Sequence, residues 1–299
     1  MSPKPDFMII GTQHSGTTWL WNVLDQYPET SFPRKKEIHF FGSSELYHQG
    51  LQWYFNQFDG LDSDKIICDA ATSNFYDRVP YWRNPGEHLE YDESLPTIPE
   101  LVTRALPDVK IIVSLRDPVS RAISAYHHWI RRQSYWGGNR RVSPWLGLRE
   151  TALRYPKVRI LEYGFYSCYL REWKKYIPEE HLCVLIFEED MVQFPKECIK
   201  KVLAFLEIES DFAPETEIKS KNPSWNWTRI LLNYYTKPMM RWIDKGPVHW
   251  LVNHWDPLKK YGVTESDIEF LKATYAQEKE AIESQTGRSL DCWRYLGQS

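Results

Sequence analysis

Gly11-Thr12-Gln13-His14-Ser15-Gly16-Thr17-Thr18 follows the apolar run Phe7-Met8-Ile9-Ile10 and leads into Trp19-Leu20. This order predicts a buried strand, a tight glycine-bounded loop and the first turn of a helix. A loop of that kind points several backbone N–H groups at one spot. It does so at the positive end of a helix dipole, and so builds an anion site.

The loop is similar to the phosphate loop G-x-x-x-x-G-K-[ST], but Thr17 stands where the phosphate-gripping lysine would be. A phosphate-like group fits it; ordinary ATP chemistry does not. Beyond the loop, Trp19, Leu20, Val23, Leu24 and Tyr27 fall at helical spacing on one face, with Trp21 off that stripe and Pro28 as the stop. Short apolar runs at 65–68, 109–115 and 182–187 read as further strands. Helical stretches are expected from Pro118 into Arg131-Arg132, from Tyr166 to Tyr176, from Pro195 to Leu206 and from Ser266 to Ile282. Alternating strands and helices predict an α/β fold, a single doubly wound, mainly parallel sheet with its ligand beyond the carboxyl ends of the strands.

Composition narrows the partners. The formal charge of −3 on 299 residues gives no global attraction to nucleic acid or to an anionic membrane, so neither is expected as a partner. Cys68, Cys168, Cys183, Cys198 and Cys292 are scattered without C-x-x-C spacing, which favours buried thiols over a disulfide scaffold or a zinc site. No apolar run approaches membrane-spanning length and no signal-peptide core precedes the first strand, so a cytoplasmic location is expected. One domain over 1–299 is the reading, with insertions near 78–104 and 222–262, the latter rich in aromatics such as Trp225, Trp227, Tyr234, Tyr235, Trp242, Trp250 and Trp255.

A second signature sharpens the first. Ser114-Leu115-Arg116-Asp117-Pro118-Val119-Ser120-Arg121-Ala122-Ile123-Ser124 again reads as strand, turn and helix, with Asp117 as N-cap and Pro118 in the first turn. It puts Arg116 at a strand end and Ser124 two helical turns on, where a guanidinium and a hydroxyl can meet a second phosphate. The pattern L-R-[DN]-P-x-x-R-x-x-S, paired with the N-terminal G-T-T loop, resembles the sulfotransferases that use 3′-phosphoadenosine 5′-phosphosulfate (PAPS). Lys36-Glu37-Ile38-His39-Phe40-Phe41, with Trp53-Tyr54 downstream, is similar to a segment of the heparan-sulfate-type branch, including its N- and 3-O-sulfotransferases.

That resemblance implies the sulfotransferase relative of the P-loop NTPase fold, PAPS as sulfuryl donor, and no metal requirement. It assigns Gln13, Ser15, Gly16, Thr17 and Thr18 to the 5′-phosphosulfate, Arg116 and Ser124 to the 3′-phosphate, and Glu37 to the role of base. His39 is an alternative base or an orienting residue on the substrate side. The family's loop lysine is here His14, read either as a cation or proton donor at the leaving oxygen or as a local hydrogen-bonding residue. A second family lysine has no counterpart in Asp69-Ala70-Ala71-Thr72-Ser73.

Arg121 is expected to pair across a helix face, and Tyr163, Phe165 and Tyr166 to pack in the core rather than hold adenine. The acidic stretch Glu87, Glu90, Asp92, Glu93 to Glu100 holds no Lys or Arg. If it borders the cleft it suits a small neutral or cationic acceptor such as a secondary metabolite; a carbohydrate or glycosaminoglycan is the alternative. Two rival functions stay open. One is a P-loop kinase, for which Glu188 to Asp190 is the nearest acidic metal-binding segment; the other is an inactive nucleotide-binding scaffold.

Overall fold

Phe7–Gly11 (β1), Thr30–Ser31 (β2), Ile66–Ala70 (β3), Lys110–Leu115 (β4) and Leu182–Ile186 (β5) form one parallel sheet in the order β2-β3-β1-β4-β5. The computed structural model describes residues 2–81, 90–132, 142–215, 226–236, 256, 259 and 262–297. Successive strand side chains point to opposite faces, so each strand feeds two cores. Phe7, Ile9 and Ile112 pack on one face with Leu20, Leu24, Ile199 and Val202 of the helices Thr17–Leu24 (α1) and Pro195–Leu206 (α8). Met8, Ile10, Ile111 and Val113 pack on the other with Leu101, Val102, Leu170 and Trp173 of Ile98–Ala105 (α4) and Tyr166–Trp173 (α7). Between α1 and α4 lie the short helices Ser44–Tyr47 (α2) and Leu51–Phe55 (α3). This is the doubly wound sheet expected from the alternation of elements.

A third core lies around the helix Pro118–Arg132 (α5), where Ala122, Tyr126 and Trp129 meet Leu148–Arg154 (α6), Trp227–Thr236 (α9) and Glu265–Thr274 (α10). The chain leaves β1 toward β3 and leaves β4 toward β5, so the connections diverge between these two neighbours. The crevice at their carboxyl ends is where such sheets bind ligands. The β1–β4 register shifts between Ile9 and Gly11, and the loop begins at that shift.

Four expectations need correction. Trp21 is buried against Phe32 at 4.5 Å, because the inward face of α1 runs through Thr17, Leu20, Trp21 and Leu24. The stretch from Ser266 to Ile282 is two helices, α10 and Glu278–Thr286 (α11), rather than one. Tyr275 breaks them: its hydroxyl donates to Leu161 O at 2.8 Å, and its ring lies so close to Gly164 that a Cβ there would sit 2.6 Å away. The helix that starts at Tyr166 ends at Trp173, short of Tyr176. Arg121 does not pair along an exposed face; it is fully buried and donates to Ile160 O. Cys68, Cys183 and Cys198 are buried, Cys168 and Cys292 half-buried, and all five are free thiols. Of the two stretches expected as insertions, 82–89 and 222–225, 237–255, 257–258 and 260–261 lie outside the described residues, and with them Glu87, Trp225, Trp242, Trp250 and Trp255.

Candidate active site

The loop between β1 and α1 is held from behind by β4. Thr12 N and Oγ1 both donate to Ser114 O, at 2.8 and 3.0 Å, and Ser114 Oγ donates to Ser15 O at 2.7 Å. Ser15 turns inward, its hydroxyl 2.6 Å from Thr12 Oγ1, so its side chain shapes the loop instead of facing a ligand. Gly16 then takes φ +83°, in the left-handed region where a side chain is strained, and its carbonyl accepts from Leu20 N at 3.0 Å. The N–H groups of Gly16, Thr17 and Thr18 open α1 and have no intrahelical acceptor, which leaves them aimed at the crevice.

Arg116 joins the loop to the second signature. Its Nη1 donates to His14 O at 2.9 Å and to Ser124 Oγ at 3.3 Å, and its guanidinium lies over the Phe187 ring at 5.0 Å. Loop, Arg116 and Ser124 therefore stand on one side of the sheet. Asp117 Oδ1 accepts from Ser120 N at 2.8 Å and caps α5, while its Oδ2 accepts from Tyr295 N at 2.8 Å. Glu188 accepts from Asp117 N at 3.1 Å and stands 3.9 Å from Arg116; burial lifts its carboxyl to about 7.

The other acids of the 188–190 segment are engaged as well. Glu189 and Asp190 pair with Arg288 at 2.7 and 2.6 Å. Among the described residues no group of three or more His, Cys, Asp or Glu could hold a metal ion.

His14 packs 5.1 Å from the ring of His128, one helical turn beyond Ser124. Burial first, then His128, Arg121, Arg116 and Arg131, hold its imidazole well below the usual range. That direction favours a hydrogen-bonding role for His14 over a cationic one.

Across the crevice, Glu37 and His39 sit on the segment from Lys36 to Phe41. Glu37 N donates to Ala70 O at 2.8 Å, at the end of β3. Its carboxylate is 37% exposed, which leaves it open to an incoming acceptor, and lies 3.4 Å from His39 Nε2. His39 Nδ1 is 2.8 Å from Ser73 Oγ, so one imidazole links the two. Lys36, which the sequence reading did not single out, reaches Thr18 Oγ1 at 2.8 Å and ties this segment to the anion loop. Lys36 opens the segment quoted from the sequence, but its contact with a residue eighteen positions away is set by tertiary structure.

Tyr163 is stacked on Tyr76 at 3.7 Å, Phe165 packs edge-on to Tyr275 at 5.3 Å, and Tyr166 is fully buried. All three are core. In the acidic stretch, Asp92 accepts from Ser44 Oγ at 2.6 Å and lies 3.0 Å from His48 Nε2, and Glu93 pairs with Arg78 at 3.1 Å. Arg34 and Lys35, beside Lys36, are exposed.

A family model for the sulfotransferase domain matches residues 4–244. The chain belongs to the sulfotransferase family. Its domain is accordingly a PAPS-dependent sulfotransferase domain. It is 37% identical over 134 residues to the membrane-associated sulfotransferase kil1 of Dictyostelium discoideum, covering 43% of this chain and 24% of that protein. Over 235 residues it is 28% identical to the human bifunctional heparan sulfate N-deacetylase/N-sulfotransferase 2, covering 76% of this chain and 23% of that protein. The chain thus spans about a quarter of the length of these relatives.

A crystal structure of a sulfotransferase from Alicyclobacillus acidocaldarius superposes with a TM-score of 0.65 at 22% identity, covering 97% of this chain and 99% of that one, and shares the fold. No helix among the described residues is long and apolar enough to cross a membrane.

The sulfotransferase site fits the donor's two anionic ends. His14 Nε2 and Arg116 Nε are buried nitrogens without a hydrogen-bond partner, which phosphate oxygens would satisfy.

Proposed function

We propose that the chain transfers a sulfuryl group from PAPS to a hydroxyl or amine of a carbohydrate acceptor. The observation that carries this reading is Arg116, whose one nitrogen spans the loop carbonyl of His14 and the Ser124 hydroxyl. It sets a 3′-phosphate pocket beside the 5′ anion cradle, a pairing that an ATP kinase does not need. PAPS supplies an activated sulfuryl group on a phosphate leaving group.

The rest is the work of this chain's residues. Gly16, Thr17 and Thr18 hold the 5′ end by backbone N–H groups and hydroxyls, and Arg116 with Ser124 hold the 3′-phosphate. Glu37 accepts the proton of the acceptor hydroxyl or amine as the new oxygen–sulfur or nitrogen–sulfur bond forms. His39, held by Ser73, orients that carboxylate. His14, as a neutral donor, stabilises charge on the departing oxygen.

A carbohydrate is favoured over a small cationic acceptor because Arg34 and Lys35 stand exposed beside Glu37. A relative named for heparan sulfate points the same way.

Labelled PAPS incubated with desulfated oligosaccharides and, separately, with small phenols and amines tests the reading. Label on the oligosaccharide supports it; label on the small molecules alone returns the acceptor to the metabolite class, and label on neither sinks the activity. Glu37→Gln is expected to lose ~10²–10⁴-fold in turnover while still binding adenosine 3′,5′-bisphosphate. Near-normal turnover would remove Glu37 from the mechanism.

A further inference from the structure

We infer that Lys36 supplies the positive charge at the 5′ anion cradle that the loop itself lacks. The inference rests on the sulfotransferase reading and concerns how this chain completes that site. The P-loop lysine position is Thr17, the sulfotransferase loop-lysine position is His14, and the segment from Asp69 to Ser73 has no lysine. His14 is half-buried beside Arg116 and His128, surroundings that oppose a charge on it.

Lys36 comes instead from across the crevice, and its ammonium donates to Thr18 Oγ1 at 2.8 Å. Thr18 lies in the first turn of α1, so the charge sits at the mouth of the cradle.

The surroundings of this ammonium are those of a cation waiting for an anion. Its side chain is only 20% exposed, its nearest partner is a neutral hydroxyl, and the Glu37 carboxylate stands off at 3.8 Å. A largely desolvated charge with so little neutralisation gains from an incoming sulfate or phosphate oxygen. Standing between Thr18 and Glu37, Lys36 faces both the group being moved and the base that activates its receiver. It can therefore hold the sulfuryl oxygens while the bond to the 5′-phosphate breaks, a role a lysine fills as a compact point charge.

Two nucleotides separate this role from a structural one. Parent, Lys36→Met and Lys36→Arg are titrated calorimetrically with adenosine 3′,5′-bisphosphate and with adenosine 3′-monophosphate, which lacks the 5′ anion. Lys36→Met is expected to lose about 10- to 100-fold in affinity for the bisphosphate and none for the monophosphate. Lys36→Arg is expected to recover part of the loss. Adding His14→Lys to Lys36→Met should restore bisphosphate affinity, because a lysine then enters the cradle from the loop.

Unchanged bisphosphate affinity in Lys36→Met, or equal losses for both nucleotides, overturns the assignment of Lys36 alone. A parent that binds neither nucleotide overturns the sulfotransferase reading and this inference with it.

Discussion

Replacing Gly16 by alanine tests whether the anion loop is wedged against its support. A Cβ on Gly16 would lie 2.5 Å from Met191 Sδ and 2.9 Å from Phe187 Cδ2, and the residue sits at φ +83°. Neither neighbour is free to yield. Met191 is fully buried, and Phe187 lies under the Arg116 guanidinium.

Left-handed backbone costs a non-glycine residue about 1–2 kcal/mol, and an extra methyl in a packed site about 1–3 kcal/mol, so the change should cost about 2–5 kcal/mol in all. For a domain of this size that is a fall in Tm of about 4–15 °C by scanning calorimetry. Gly287→Ala is the control: φ there is +65° but nothing lies within 4 Å of the added Cβ, so only the smaller backbone cost applies. The same displacement should move Phe187 and loosen Arg116, lowering affinity for adenosine 3′,5′-bisphosphate by more than about tenfold. If Gly16→Ala melts with Gly287→Ala and binds the bisphosphate as the parent does, the loop is not braced by the 187–191 segment and the reasoning fails.

Other expectations follow from the same geometry. Arg116→Met should weaken adenosine 3′,5′-bisphosphate by about 10- to 100-fold and leave adenosine 5′-phosphosulfate, which has no 3′-phosphate, nearly unaffected; equal losses would refute the assignment. Burial raises the Glu188 carboxyl from 4.5 to about 7, so between those values the folded chain holds a proton that the unfolded chain has released. Its contribution to stability therefore falls as pH rises through that window, by roughly 3 kcal/mol. Glu188→Gln should remove that slope, and parallel Tm–pH curves for parent and variant would contradict it. Above about pH 7 the ionised carboxylate competes for Arg116, so bisphosphate affinity in the parent should weaken with rising pH more than in Glu188→Gln.

The two strand–loop–helix units of the candidate site were written locally. Phe7 to Ile10 is a continuous apolar run ended by glycine, and Asp117-Pro118 joins an N-cap to a first-turn proline, so both strand–loop–helix units could be read without knowing the fold. What escaped was decided by distant contacts. Lys36 meets Thr18 only because the segment after β2 folds across the crevice. The helical pattern through Tyr275 is unbroken in sequence, and the break comes from a ring drawn down onto Gly164 and the carbonyl of Leu161. Thr30–Ser31 is too short a strand to have a periodicity at all.

Arg121 looked like an ordinary amphipathic charge because its burial depends on Ile160, thirty-nine positions away. The acceptor side was hardest to read, since the partners of Asp92, Ser44 and His48, come from a distant part of the chain.

Asp117 divides its carboxylate between its own helix and a distant segment, one oxygen on the amide of Ser120 and the other on that of Tyr295. The residue beside the Arg116 guanidinium is thereby fastened to the segment around Tyr295, where Trp293 is fully buried. Substitutions around Tyr295 therefore reach the Arg116 crevice through Asp117, and those at Arg288 reach it through Glu189 and Asp190.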